Sequence, residues 1–145
     1  MVSPKLIRQA IYEKLNVAGL TSLLPQGSAS IFHQVAPAEG TYPLVTYSQQ
    51  SGRTIKPFGY IHNGEDHAIA DQLWLVKGVT RDSRSAPAED IAAAVYELLS
   101  FADLAITGGR SLHVEHETDV AYATTEGDTQ YRHHGALYRV RLIET

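Results

Sequence analysis

The chain has 145 residues, 43% apolar and 19% charged, with a formal net charge of −4 and no cysteine. That length suits one domain, residues 1–145, able to bury about two-thirds of its unfolded surface. The composition is that of an ordered globular protein. It excludes disulfides and thiolate metal sites, and it argues against general nucleic-acid binding, which needs basic surface to neutralise phosphates.

No apolar run approaches the ~18 residues of a membrane span, so no membrane partner is expected. The opening stretch MVSPKLIRQAIYEKL spreads its charges and has no uninterrupted apolar centre, unlike a signal peptide. Synthesis and assembly in the cytoplasm is the expectation.

A first helix is announced by Ser3 as cap, Pro4 at the first helical position, and Leu6, Ile7, Ala10, Ile11 and Leu15 on one side. A further turn over Leu20–Leu24 ends at Pro25 and Gly27. Two apolar runs follow, Ile31–Val35 and Leu44–Tyr47, flanking APAEGTYP. Aromatic and β-branched residues mark strands, and Pro37, Gly40 and Pro43 mark the turn between them.

Residues Arg53–Asp66 (RTIKPFGYIHNGED) read as a connection too long for a tight hairpin turn. It combines Arg53 and Lys56 with Phe58 and Tyr60. Rigid rings and arginine dominate interface energetics, so this loop is a candidate partner contact. His67–Val79 is the strongest strand signal, and its centre, Leu73-Trp74-Leu75-Val76, is apolar on both faces. An antiparallel strand with one wet face alternates instead. Either both faces are covered within the monomer or a neighbouring subunit covers one, and for so small a domain the second is the expectation, with Leu73 and Leu75 in the contact.

A second helix starts near Ser85, with Pro87 and the acids Glu89 and Asp90 in its first turn. Ile91, Val95, Leu98 and Ala102 form a stripe, with Leu99 beside it. Ser111–Ala123 and Tyr131–Glu144 then read as two long strands around the turn Glu126-Gly127-Asp128. Simple alternation puts Val114, Val120 and Tyr122 on one face with His116, and Glu115, Glu117 and Asp119 on the other. In the last strand Ala136, Tyr138, Val140 and Leu142 oppose Arg139 and Arg141. Matching the apolar faces sets Glu115 and Glu117 across from Arg139 and Arg141, pairs worth about 0.2–1 kcal/mol each.

Chemistry is hard to place on this pattern. Seven histidines invite a metal, but His113 and His116 point to opposite faces of a strand, as do His133 and His134. There is no G-x-S-x-G elbow, no phosphate-binding glycine loop and no recognisable metal spacing. The expectation is a non-enzymatic chain with no catalytic residue, no cofactor and no metal.

The order of elements, the stretch VAPAEGTYPLVTYSQQSG, a Trp-bearing strand ahead of an amphipathic helix, and the closing strand LYRVRL together resemble the tail-completion (tail-terminator, head–tail joining) proteins of long-tailed bacteriophages. The resemblance covers nearly the whole chain and rests on turn and core residues, so no site residues carry over from it. It implies an α+β fold, mainly antiparallel sheet with two helices packed against it, assembling as a ring. The ring, typically a hexamer, caps the tail tube and joins it to the head connector or head-completion protein. Its place would be the tail–head junction of a virion or prophage product, with DNA passing through the ring and no specific nucleic-acid binding. Ring contacts are then expected from Arg53, Lys56, Phe58, Tyr60, Leu73, Leu75, Glu115, Glu117, Arg139 and Arg141. The alternatives are another ring-forming head–tail component, such as a head-completion or tail-tube protein, or a small-ligand-binding or enzymatic domain.

Overall fold

The computed structural model of the chain describes residues 4–37, 40–55, 69–81 and 84–144. Ser3, expected as the first cap, lies outside them. So do Lys56, Phe58 and Tyr60 of the long connection.

The architecture is α+β: a six-stranded, mostly antiparallel sheet with three helices. Helix α1 is Pro4–Leu15 and α2 is Ala18–Thr21. After a 3-10 turn at Gly27–Ser30 come β1 (Ile31–His33), β2 (Leu44–Ile55) and β3 (Ile69–Thr80). Helix α3 (Ala86–Leu99) precedes β4 (Gly109–Ser111), β5 (Glu115–Glu126) and β6 (Thr129–Glu144). The strand order is β1-β2-β3-β6, and β4 and β5 share the far side of β6.

The expected helical stripes are buried in the main, but in α3 Leu99 rather than the half-buried Leu98 completes the stripe, and the helix ends at Leu99, short of Ala102. Ile7, Ala10, Ile11 and Leu15 of α1 and Ile91, Val95 and Leu99 of α3 enter one cluster with Tyr47, Trp74, Val76, Ala136, Tyr138, Val140 and Leu142. These strand residues alternate along β3 and β6, as period 2 requires, so the helices pack on one face of the sheet. Trp74 is its centre. Its ring stacks on Tyr47 at 6.2 Å, and its Nε1 donates to Gln72 Oε1 at 2.8 Å, satisfying the one polar atom of a buried indole. Helix α3 lies so close to β3 that a Cβ on Gly78 would stand 2.7 Å from Ile91 Cγ2.

Three expectations are corrected. The runs at 31–35 and 44–47 do not form a simple strand–turn–strand: β1 stops at His33 and pairs parallel to β2, with Ile31 opposite Val45. The backbone leaves the strand at Gln34, whose φ is 68°, and the chain re-enters the sheet at Leu44. Second, β2 runs on from the Leu44–Tyr47 run through Ser48-Gln49-Gln50-Ser51-Gly52 to Arg53-Thr54-Ile55, the last three of which sequence alone assigns to the long connection. Its ladder with β3 supplies what the polar side chains lack in strand propensity. Third, the pairing of β5 with β6 shifts between His116 and Thr118, leaving Glu117 as an extra residue. One inserted residue inverts every later side chain. Val120 and Tyr122 therefore point away from the helices, and Asp119 points toward them.

Candidate assembly surface

The face of the sheet turned away from the described helices carries a belt of charge. It starts on β2, where Arg53 stands opposite Asp71 of β3; Asp71 in turn stands opposite Arg141 of β6, and one step on Arg139 stands opposite Glu115 of β5. Arg53 is thus a strand residue in an ion pair, and the sequence assignment of it to a loop is corrected.

Asp71 is the hub, with its side chain fully buried. Its Oδ1 accepts from Arg139 Nη1 at 2.8 Å and its Oδ2 from Arg53 Nε at 3.3 Å, while Arg141 Nε lies 3.9 Å away. Arg139 Nε donates to Glu117 at 2.5 Å and Arg141 Nη1 to Glu115 at 3.2 Å. Burial pushes the Asp71 carboxyl upward, but the Arg139 hydrogen bond and charge, with Arg53 and Arg141, outweigh it and hold Asp71 below its usual value. The Arg139 hydrogen bond does the same for Glu117. Glu115 and Glu117, two residues apart, face the same pair of arginines, and the bulge at Glu117 inverts only the residues that follow it.

Toward the other end of this face lies an aromatic corner. Tyr122 stacks on His133 at 4.3 Å and 9°, and Lys77 hydrogen-bonds the Tyr122 hydroxyl with its ammonium 4.9 Å from the ring centre. Thr124 Oγ1 and His133 Nε2 are 2.9 Å apart. Burial, then the charges of Lys77 and His134, lower the His133 pKa to about 4. The β1–β2 connection folds toward this corner, bringing Tyr42 to 5.3 Å from Tyr131 over a cavity of about 220 Å³.

Leu73 and Leu75 lie between belt and corner, on the helix-free face and half-buried. Leu73 faces Arg139 and Leu75 faces Leu137 across the ladder. The structure thus brings together Arg53, Leu73, Leu75, Glu115, Glu117, Arg139 and Arg141 on one surface. Sequence reading missed Asp71, although it shares the parity of Leu73 and Leu75 and that alone aims it at the arginines. It also missed Tyr122, which alternation had sent to the core.

On the helix side, His116 Nε2 sits 2.8 Å from Asp119 Oδ1, and the His116 ring meets the edges of Tyr96 and Tyr138 at 5.2 and 5.7 Å. This ties the bulged end of β5 to α3. Among the described residues no group of three His, Asp or Glu is placed to hold a metal ion, and no helix is long and apolar enough to cross a membrane.

No protein-family model matches the chain, and no curated protein matches it. Solved structures do. A chain from the virion of a native gene transfer agent (GTA) particle superposes with a TM-score of 0.70 at 19% identity, over 96% of either chain. A second solved structure, known only by a sequence identifier, gives a TM-score of 0.57 at 19% identity, over 99% of this chain and 96% of that one. At such identity the likeness is one of fold, and it extends end to end.

Proposed function

We propose that the chain is a structural protein of a phage-like virion, and within it the tail terminator: a ring, hexameric by the sequence resemblance, that caps the tail tube and meets the head connector. The observation that carries this is the end-to-end fold likeness to a chain of a gene transfer agent virion. The pattern resemblance to tail-completion proteins was drawn from turn and core residues and points the same way. The surface agrees in kind: it is built from ion pairs, half-buried leucines and stacked rings, the materials of a protein contact. Catalysis has no part in this reading.

Its partners are then copies of itself, the tube protein and a head-completion protein. The test is a tube-extension assay with a tail-tube protein from the same source as this chain. Adding the chain is expected to halt elongation at a fixed number of copies per tube end. Unchanged elongation rules out capping. If the chain alone polymerised into long tubes, it would be the tube protein instead.

A further inference from the structure

Two long strand edges are unpaired among the described residues, at opposite ends of the sheet. Strand β1 covers β2 only as far as Tyr47, so the outer side of 48–55 is open, and β5 is paired to β6 alone. A row of free N–H and C=O groups is a template for another strand. Between β2 and β5 lie three antiparallel pairings, β2 with β3, β3 with β6, and β6 with β5. The two edges therefore run antiparallel to each other. A second copy, rotated about an axis along the strands, presents its β2 antiparallel to the first copy's β5 and continues the alternation.

The charge belt adds a sign to each edge. It is positive on β2 (Arg53), negative on β3 (Asp71), positive on β6 (Arg139, Arg141) and negative on β5 (Glu115, Glu117). The open part of β2 carries no other charge than Arg53, and β5 carries only acids as fixed charges. Charged residues on an edge ordinarily guard it against pairing. Here the guards are of single and opposite sign. Two β5 edges would set glutamates against glutamates, and two β2 edges arginine against arginine. Only the mixed joint is complementary. The end groups also keep capacity for it: the Arg53 side chain is 71% exposed although paired to Asp71, and that of Glu115 is 52% exposed.

We propose that copies of this chain join edge to edge, the 48–55 stretch of β2 in one copy pairing antiparallel with the Glu115–Thr118 end of β5 in the next, Arg53 lying against Glu115 and Glu117. The joint is heterologous, so it propagates in one sense and closes into a ring when the rotation allows. It rests on the ring reading above and names the contact that would close it. The belt then runs unbroken around the assembly, each sign neighboured by its opposite.

The natural chain has no cysteine, so introduced pairs report cleanly. Thr118→Cys is combined with Ser48→Cys or with Ser51→Cys, all on the helix-free face, and oxidised after assembly. A ladder of covalent species ending at one closed ring is expected from a double variant, and no ladder from any single one. In parallel, Arg53→Glu and Glu115→Arg/Glu117→Arg are each expected to weaken self-association roughly tenfold, the scale of one charge contact turned repulsive. Mixing the two variants restores association through alternating joints, which misfolded chains would not do. Rings by sizing that give no ladder and ignore both charge reversals would overturn the edge joint and leave the ring standing. A chain that stays strictly monomeric at millimolar concentration even with tail tubes present would overturn the ring reading and the joint with it.

Discussion

The two faces of one sheet are held by different physics. Toward the helices, Trp74, Tyr138, Val76 and Leu142 are closed off by α1 and α3, and the face is specified by volume and shape. Away from them, the same strands carry Asp71, three arginines, two glutamates and a Lys–Tyr–His stack, and the face is specified by charge sign and geometry. The first face needs nothing further. The second has ion pairs with exposed ends and strand edges unpaired among the described residues, and the proposed assembly role rests on that difference.

The contrast is sharpest where it is broken hardest. Trp74→Ala removes the centre of the covered face and is expected to cost about 3–5 kcal/mol, measured by urea unfolding. Asp71→Ala strands Arg139 and Arg53 around an empty hub and is expected to cost about 2–3 kcal/mol in the same assay. A cost for Asp71→Ala under about 0.5 kcal/mol, the level of ordinary surface substitutions, would mean the belt contributes nothing to the fold.

The two ends of the helix-free face also part company in acid. His133 has a pKa lowered to about 4 from 6.5, so the unfolded chain binds the proton first. Stability is full above about pH 6.5 and falls as pH drops from there toward 4. His133→Gln should flatten that limb of a stability–pH curve. Asp71 is lowered from 3.8 by its arginines, so its contribution is full above that pH and is lost only as pH falls through its folded value. Asp71→Asn should flatten only this lower limb. One limb that responds to both variants would contradict the separation of the two ends of the face.

The smallest effect belongs to the corner stack. Tyr122→Ala removes a half-exposed ring from between Lys77 and His133 and is expected to cost about 1 kcal/mol. It should leave near-ultraviolet signals of Trp74 unchanged, since that ring lies on the other face.

Much of the covered face was legible because volume follows period. The Ile91–Val95–Leu99 stripe, the Trp-bearing strand and the alternation of Tyr138 with Arg139 needed only 3.6 and 2 residues per repeat. The helix-free face was legible only in part. Pairing Glu115 and Glu117 with Arg139 and Arg141 followed from alternation, but the bulge at Glu117 that turns Tyr122 outward leaves no mark in composition. The polar run of β2 carried no strand signal of its own, because its ladder partner, β3, supplies the stability. The parallel pairing of β1 depends on a backbone turn at Gln34 that any short sequence pattern would miss.

The central claim is that the chain closes into a ring on a tube end. Electron microscopy of tubes grown with this chain present tests it directly. A single ring, six-fold by the sequence resemblance, is expected on one end of each tube, with density continuous from subunit to subunit at the level of the sheet. Bare tube ends in the presence of excess folded chain would contradict it.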